Sequence, residues 1–106
     1  MDPKIKRLID RVKAHLTETY GEGIKRVILY GCHARGEATK DSDVDVLVLV
    51  DQSVDPREVD DSLSDLLYDM LLDEGELVSV IVLPEDRFEN RNLPFMLNVR
   101  EEGVTI

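Results

Sequence analysis

Near the middle of the chain, Asp43-Val44-Asp45 opens an unbroken apolar run, Val46-Leu47-Val48-Leu49-Val50, and that junction constrains the fold more than any other stretch. The run is rich in β-branched residues and reads as a strand built for burial. Residues two apart on a strand share a face, with Cα atoms about 6 to 7 Å apart, so the two carboxylates project side by side. Desolvating two like charges together is costly unless a cation or several donors compensate, and oxygen ligands of this kind suit a divalent ion. Gly31-Cys32 lies ten residues upstream, at the end of another apolar stretch.

The remaining pattern supplies the frame around this junction. Asp2-Pro3 offers a helix cap and a first-turn proline, and Ile5, Leu8, Ile9, Val12 and Leu16 recur at helical spacing until Gly21 and Gly23. Val27 to Tyr30 reads as a short buried strand ending at Gly31, and Asp43 to Val50 as a second, with a polar turn or short helix between them. Asp55-Pro56-Arg57-Glu58 caps a second long helix whose stripe is Val59, Leu63, Leu66, Leu67, Met70 and Leu71, with Gly75 past its end. Leu77 to Leu83 is a third strand, stopped by Pro84. The expected fold is therefore α/β (α+β): a small mixed central sheet flanked by helices, in the order α-β-β-α-β. An irregular tail follows, with a short helix around Pro94 to Arg100 and an extended end at Val104 to Ile106.

Composition narrows the function classes. At 106 residues, the size prior gives a single domain over 1–106, with little room for a separate substrate-binding unit. Hydrophobic content of 42% and charged content of 34% fit a soluble globular chain, and no apolar run reaches the roughly 18 to 20 residues of a membrane span. One cysteine excludes an internal disulfide and is compatible with the cytoplasm. Residues 1–36 carry 8 Lys+Arg against 4 Asp+Glu, a balance of +4, while residues 37–106 carry 5 against 19, a balance of -14. So acidic a surface repels nucleic-acid backbones, which argues against long DNA or RNA as ligand while leaving room for a small nucleotide that brings its own cation.

Gly31 can adopt backbone angles that bring an amide against a ligand, and a helix beginning at residue 32 would aim further N–H groups the same way, an arrangement suited to phosphate. Asp43 and Asp45 would then hold magnesium against the same phosphates, and Arg35 would neutralise a departing pyrophosphate. Rival motifs fail on residue grounds. Gly31 to Gly36 has P-loop spacing, but Glu37 and Ala38 stand where lysine and Ser/Thr belong. Asp41-x-Asp43-x-Asp45 resembles the start of a calcium loop, but Val46 replaces its glycine and Gln52 its bidentate glutamate. Cys32 and His33 are neighbours on a turn without a third orienting group, so they form no nucleophile pair. Ser42 serves as a turn cap or a phosphate contact.

The stretch Gly31-Cys32-His33-Ala34-Arg35-Gly36 through Asp41-Ser42-Asp43-Val44-Asp45 resembles the signature of polymerase-beta-type nucleotidyltransferases, specifically the minimal nucleotidyltransferase domains that accompany HEPN proteins. The likeness is dense over residues 27–50 and implies transfer of a nucleoside monophosphate, most often AMP from ATP, to a hydroxyl acceptor with two Mg²⁺ ions. It further implies a HEPN-type partner, with the nucleotidyltransferase as antitoxin and a homo- or hetero-oligomer as the working form. By motif position, Asp43 and Asp45 are the catalytic, metal-holding residues, and Gly31, Cys32, Arg35 and Ser42 bind the nucleotide.

Two residues depart from that signature. Cys32 replaces a serine, and a thiol is the weaker partner for phosphate. On the third strand, Ser79 occupies the place where active members of the family carry a third carboxylate, and Glu76 belongs to the opposite face by alternation. The resemblance thus leaves two functions open: an active transferase, or a degenerate binding module that grips its partner without turnover. A small α/β domain whose acidic pair only tightens the fold is a third reading.

Overall fold

The computed structural model describes residues 2–39 and 41–106. Helix α1, Pro3–Tyr20, starts where the Asp2 carboxylate accepts the Lys4 N–H at 2.8 Å, and it buries the expected stripe of Ile5, Leu8, Ile9, Val12 and Leu16. A 3₁₀ turn, Gly21–Gly23, feeds strand β1, Ile24–Tyr30. After Gly31 comes a single helical turn, α2, Cys32–Arg35, and then strand β2, Val44–Val50. Helix α3, Pro56–Glu74, is capped by Asp55 through the Arg57 N–H at 3.0 Å and ends at Gly75 in the left-handed conformation. Strand β3, Val78–Pro84, completes the order read from the sequence.

The four-stranded sheet has the order β3-β2-β1-β4, where β4 is Val104–Thr105. Strand β1 runs antiparallel to β2 and β4, and β2 runs parallel to β3 through the α3 crossover, so the sheet is mixed. Residues Val46 to Val50 are fully buried because β2 is internal to the sheet and covered on both faces. On one face Val44, Val46, Val48 and Val50 pack with Val27 and Leu29 against α1 and α3. On the other, Ile28, Leu47 and Leu49 pack against Phe88, Met96 and Val99. Each such side chain contributes roughly 1.5–3 kcal/mol of transfer free energy, offset by ordering entropy.

The C-terminal segment is more ordered than its sequence suggests. Helix α4, Glu85–Asn90, was not expected: six residues with one buried apolar side chain, Phe88, give no periodicity to read. Its position is tertiary in origin, since Arg26 of β1 pairs with Glu85 at 3.5 Å and with Glu89, and both Arg26 and Arg100 lie over the Phe88 ring. Helix α5, Pro94–Glu102, matches the expected short helix and extends it by one turn-half. Its end is fixed by Gly103, where an added Cβ would meet the Val99 carbonyl and come within 2.6 Å of the Ile28 Cγ2. One side chain of the expected α3 stripe lies outside the core: Leu71 is 40% exposed.

Candidate active site

The strand register builds the site. Tyr30 is opposite Asp45 in the antiparallel pair, and Asp45 is opposite Ser79 in the parallel pair, so the three side chains form a row across β1, β2 and β3. Leu47 and Leu49 share the face of Asp45, which therefore belongs to the α4/α5 side of the sheet. Asp43, exposed just before β2, projects to that side by the same alternation.

Gly31 leaves β1 with φ 77° and ψ -152°, a conformation that disfavours any side chain. The reason for glycine is also spatial: a Cβ there would lie 2.6 Å from the Asp45 Oδ2. The carboxylate is thus seated directly against the bend that carries the chain from β1 into α2. At Gly36 the chain turns again in the left-handed region, and the Arg35 N–H reaches back to the Gly31 carbonyl at 3.1 Å.

The electrostatics of the site reflect burial first and neighbouring negative charge second. Burial, and then the charge of Asp43, raise the Asp45 pKa above the usual carboxylate value, while His33 and Arg35 pull it partly back. The Tyr30 hydroxyl is pushed up to about 12, by burial first and then by Asp45. Its ring meets Phe95 of α5 edge to face, with centroids 5.4 Å apart. Tyr30, Gly31, Arg35, Phe95 and Glu102 border a cavity of about 230 Å³ beside the bend. A wider cleft of about 860 Å³ lies on the other side of Arg35, lined by Lys4, His33, Thr39 and Glu76 among others.

The remaining candidates fall into place unevenly. Arg35 is held by carboxylates, its Nε donating to the Glu37 Oε2 at 3.1 Å and its Nη1 to the Glu102 Oε2 at 3.0 Å, and these two partners raise its pKa. Its Nη2 donates to the Cys32 Sγ at 3.4 Å. The Ser42 Oγ accepts the Thr39 N–H at 2.9 Å, the turn-capping use of a serine. Glu76 pairs with Lys4 of α1 at 3.5 Å, on the face away from Ser79. Among the described residues no three His, Cys, Asp or Glu side chains gather into a group that could hold a metal. Two carboxylates without a third fit an ion that arrives with phosphate oxygens as its other ligands, and do not fit a resident, all-protein cage.

Phe95 and Glu102 were absent from the candidates read from the sequence. They meet Tyr30 and Arg35 from 65 and 67 positions away, through the packing of α5 on β1, and no local pattern signals such a contact. The His33 Nε2 is buried without a hydrogen-bond partner.

Comparison with known proteins bears on the family and the fold. A protein of Methanocaldococcus jannaschii whose name describes it as a protein adenylyltransferase is 35% identical over 100 residues, covering 93% of this chain and 90% of its own. Solved structures share the fold at low identity. A toxin–antitoxin complex with AMP-PNP is 14% identical with a TM-score of 0.59, over 91% of this chain and 70% of the other. A complex of tri-AMPylated Shewanella oneidensis HEPN toxin with MNT antitoxin is 13% identical with a TM-score of 0.57, over 95% and 70%. Among the described residues no helix is long and apolar enough to cross a membrane. The sequence profile of the nucleotidyltransferase domain matches residues 5–102, nearly the whole span of the sheet and its helices, and the chain belongs to the nucleotidyltransferase domain family.

Proposed function

We propose that this protein transfers AMP from Mg-ATP to a hydroxyl of a HEPN-type protein partner, as the antitoxin of a pair. The observation that supports the reading is the close approach of the Asp45 carboxylate to the Gly31 bend, as expected if a metal-holding group and a phosphate-holding turn share one site. The M. jannaschii relative and the two toxin–antitoxin complexes support the substrate class and the partner. In the reaction, the acceptor hydroxyl oxygen bonds to the α-phosphorus, the bond from that phosphorus to the β-phosphate bridge oxygen breaks, pyrophosphate leaves, and the hydroxyl proton passes to a base.

On this reading Asp43 and Asp45 hold Mg²⁺, which when bound neutralises charge on the phosphates. The Gly31 and Cys32 amides orient the triphosphate tail, Ser42 shapes the turn behind it, and Arg35 meets the leaving pyrophosphate. Ser79 faces the same row as Asp45, but a serine hydroxyl cannot serve as a proton acceptor at neutral pH as a carboxylate would. The base therefore comes from the acceptor, the partner or solvent. Incubation with labelled ATP and a HEPN-type partner tests this: a labelled partner that disappears with Asp43→Asn supports it, and no labelled protein with any partner overturns it.

Ser79 favours a second reading, a nucleotide-binding module that assembles with its partner without turnover. Restoring an acid with Ser79→Asp separates the two. A rise of about 10²-fold or more in transfer from a negligible parent rate supports the module, whereas a parent already transferring at full rate removes it.

A further inference from the structure

Arg35 stands between the two cavities that flank the bend, and its guanidinium is already engaged on three sides, by Glu37, Glu102 and the Cys32 sulfur. The two carboxylates differ in kind. Glu37 is two residues along the same loop and mostly exposed, so it follows Arg35 wherever the loop goes. Glu102 is the last residue of α5, and Gly103 immediately after it is clamped between Val99 and Ile28, so its backbone is fixed to β1 independently of the α2 turn. A phosphate tail approaching Gly31 therefore meets a cation matched by an anchored internal anion, in a field made more negative by Asp43 and Asp45.

Resting on the nucleotide-binding reading above, we propose that Glu102 is a specificity-determining residue that competes with phosphate for Arg35 and selects metal-complexed triphosphate over free polyphosphate. Phosphate can take the guanidinium from Glu102 because it offers the same planar fork more acceptor oxygens and more charge. The cost of approaching Glu102 grows with the negative charge of the ligand. A triphosphate that carries Mg²⁺ is less negative by two charges than the bare tail, so the same carboxylate opposes it less. Glu102 thus favours the ligand form that Asp43 and Asp45 can also hold.

The test is calorimetric titration of the full chain and of Glu102→Gln, Glu37→Gln, Arg35→Gln and the Arg35→Gln/Glu102→Gln double variant. The two ligands are inorganic tripolyphosphate without metal and Mg-ATP. Glu102→Gln is expected to tighten tripolyphosphate about fivefold and Mg-ATP about twofold, with a smaller gain from Glu37→Gln, as suits partly exposed charges. Both gains disappear in the Arg35→Gln background. Weaker or unchanged binding in Glu102→Gln, an equal gain for both ligands, or a gain that persists without Arg35 overturns the assignment. If the parent still transfers AMP in any of those cases, only the role of Glu102 falls. If no variant binds either ligand, the nucleotide reading falls with it.

Discussion

On one face of the sheet Val44, Val46 and Val48 are fully buried against α1 and α3, while on the other Leu47 and Leu49 are buried on the α4/α5 side but Asp45 is only partly covered. The same strand supplies both faces, and alternation alone decides which side chain goes where. The sealed face fixes the strands so firmly that the open end of the other can tolerate two adjacent carboxylates with a perturbed titration. Stability is concentrated on one side and chemistry on the other, which is how a chain of this size accommodates a costly site.

Paired substitutions of one residue type break this comparison most directly. Ile9 is fully buried on the sealed side and Ile81 is 40% exposed on β3, on the open side. Ile9→Ala is expected to cost about 2–5 kcal/mol in urea unfolding and Ile81→Ala less than about 1 kcal/mol. Equal costs would mean that the two faces are equally load-sharing and that the contrast is false.

A smaller effect is expected at the bend. Gly31→Ala combines a left-handed φ with a collision at Asp45, and a loss of about 1–3 kcal/mol is expected by thermal unfolding, together with loss of Mg-ATP binding. An alanine variant that is as stable as the parent and binds nucleotide normally would show that the carboxylate does not press on this turn.

The smallest effect concerns Asp45 itself, and its sign is opposite. Because the folded protein raises this carboxyl pKa, the folded chain holds the proton more tightly than the unfolded one. The stabilisation from that proton is complete below the ordinary value near 3.8 and is lost as pH rises through the raised value. At neutral pH, Asp45→Asn should therefore raise the melting temperature of the metal-free protein by about 2–4 °C, the response of a small domain to roughly 0.5 kcal/mol after solvent screening. The difference between variant and parent should shrink as the pH is lowered into the carboxylate range. A variant less stable than the parent at neutral pH would contradict a carboxyl pKa raised by burial and then by Asp43.

Much of this division could be read from residue order. The helical stripes of α1 and α3, their aspartate caps and the β2 run are local signals, and the structure uses each of them as local physics dictates. Ser79 was singled out by the family resemblance, and the parallel register puts it opposite Asp45. What was not legible depends on distant partners: α4 is positioned by Arg26, Phe95 reaches Tyr30 across the sheet, and Glu102 binds Arg35. None of these contacts leaves a period or a turn signal in the chain. Leu71 shows the converse limit, since the apolar stripe of α3 predicts a face wider than the sheet beneath it can cover.

Because β3 is the outermost strand, the row of Tyr30, Asp45 and Ser79 stops at a rim that no other strand of the described residues borders. A segment of a second polypeptide laid along that rim in register would lengthen the row by one side chain, beside Ser79 and two strand spacings, roughly 9 to 10 Å, from Asp45.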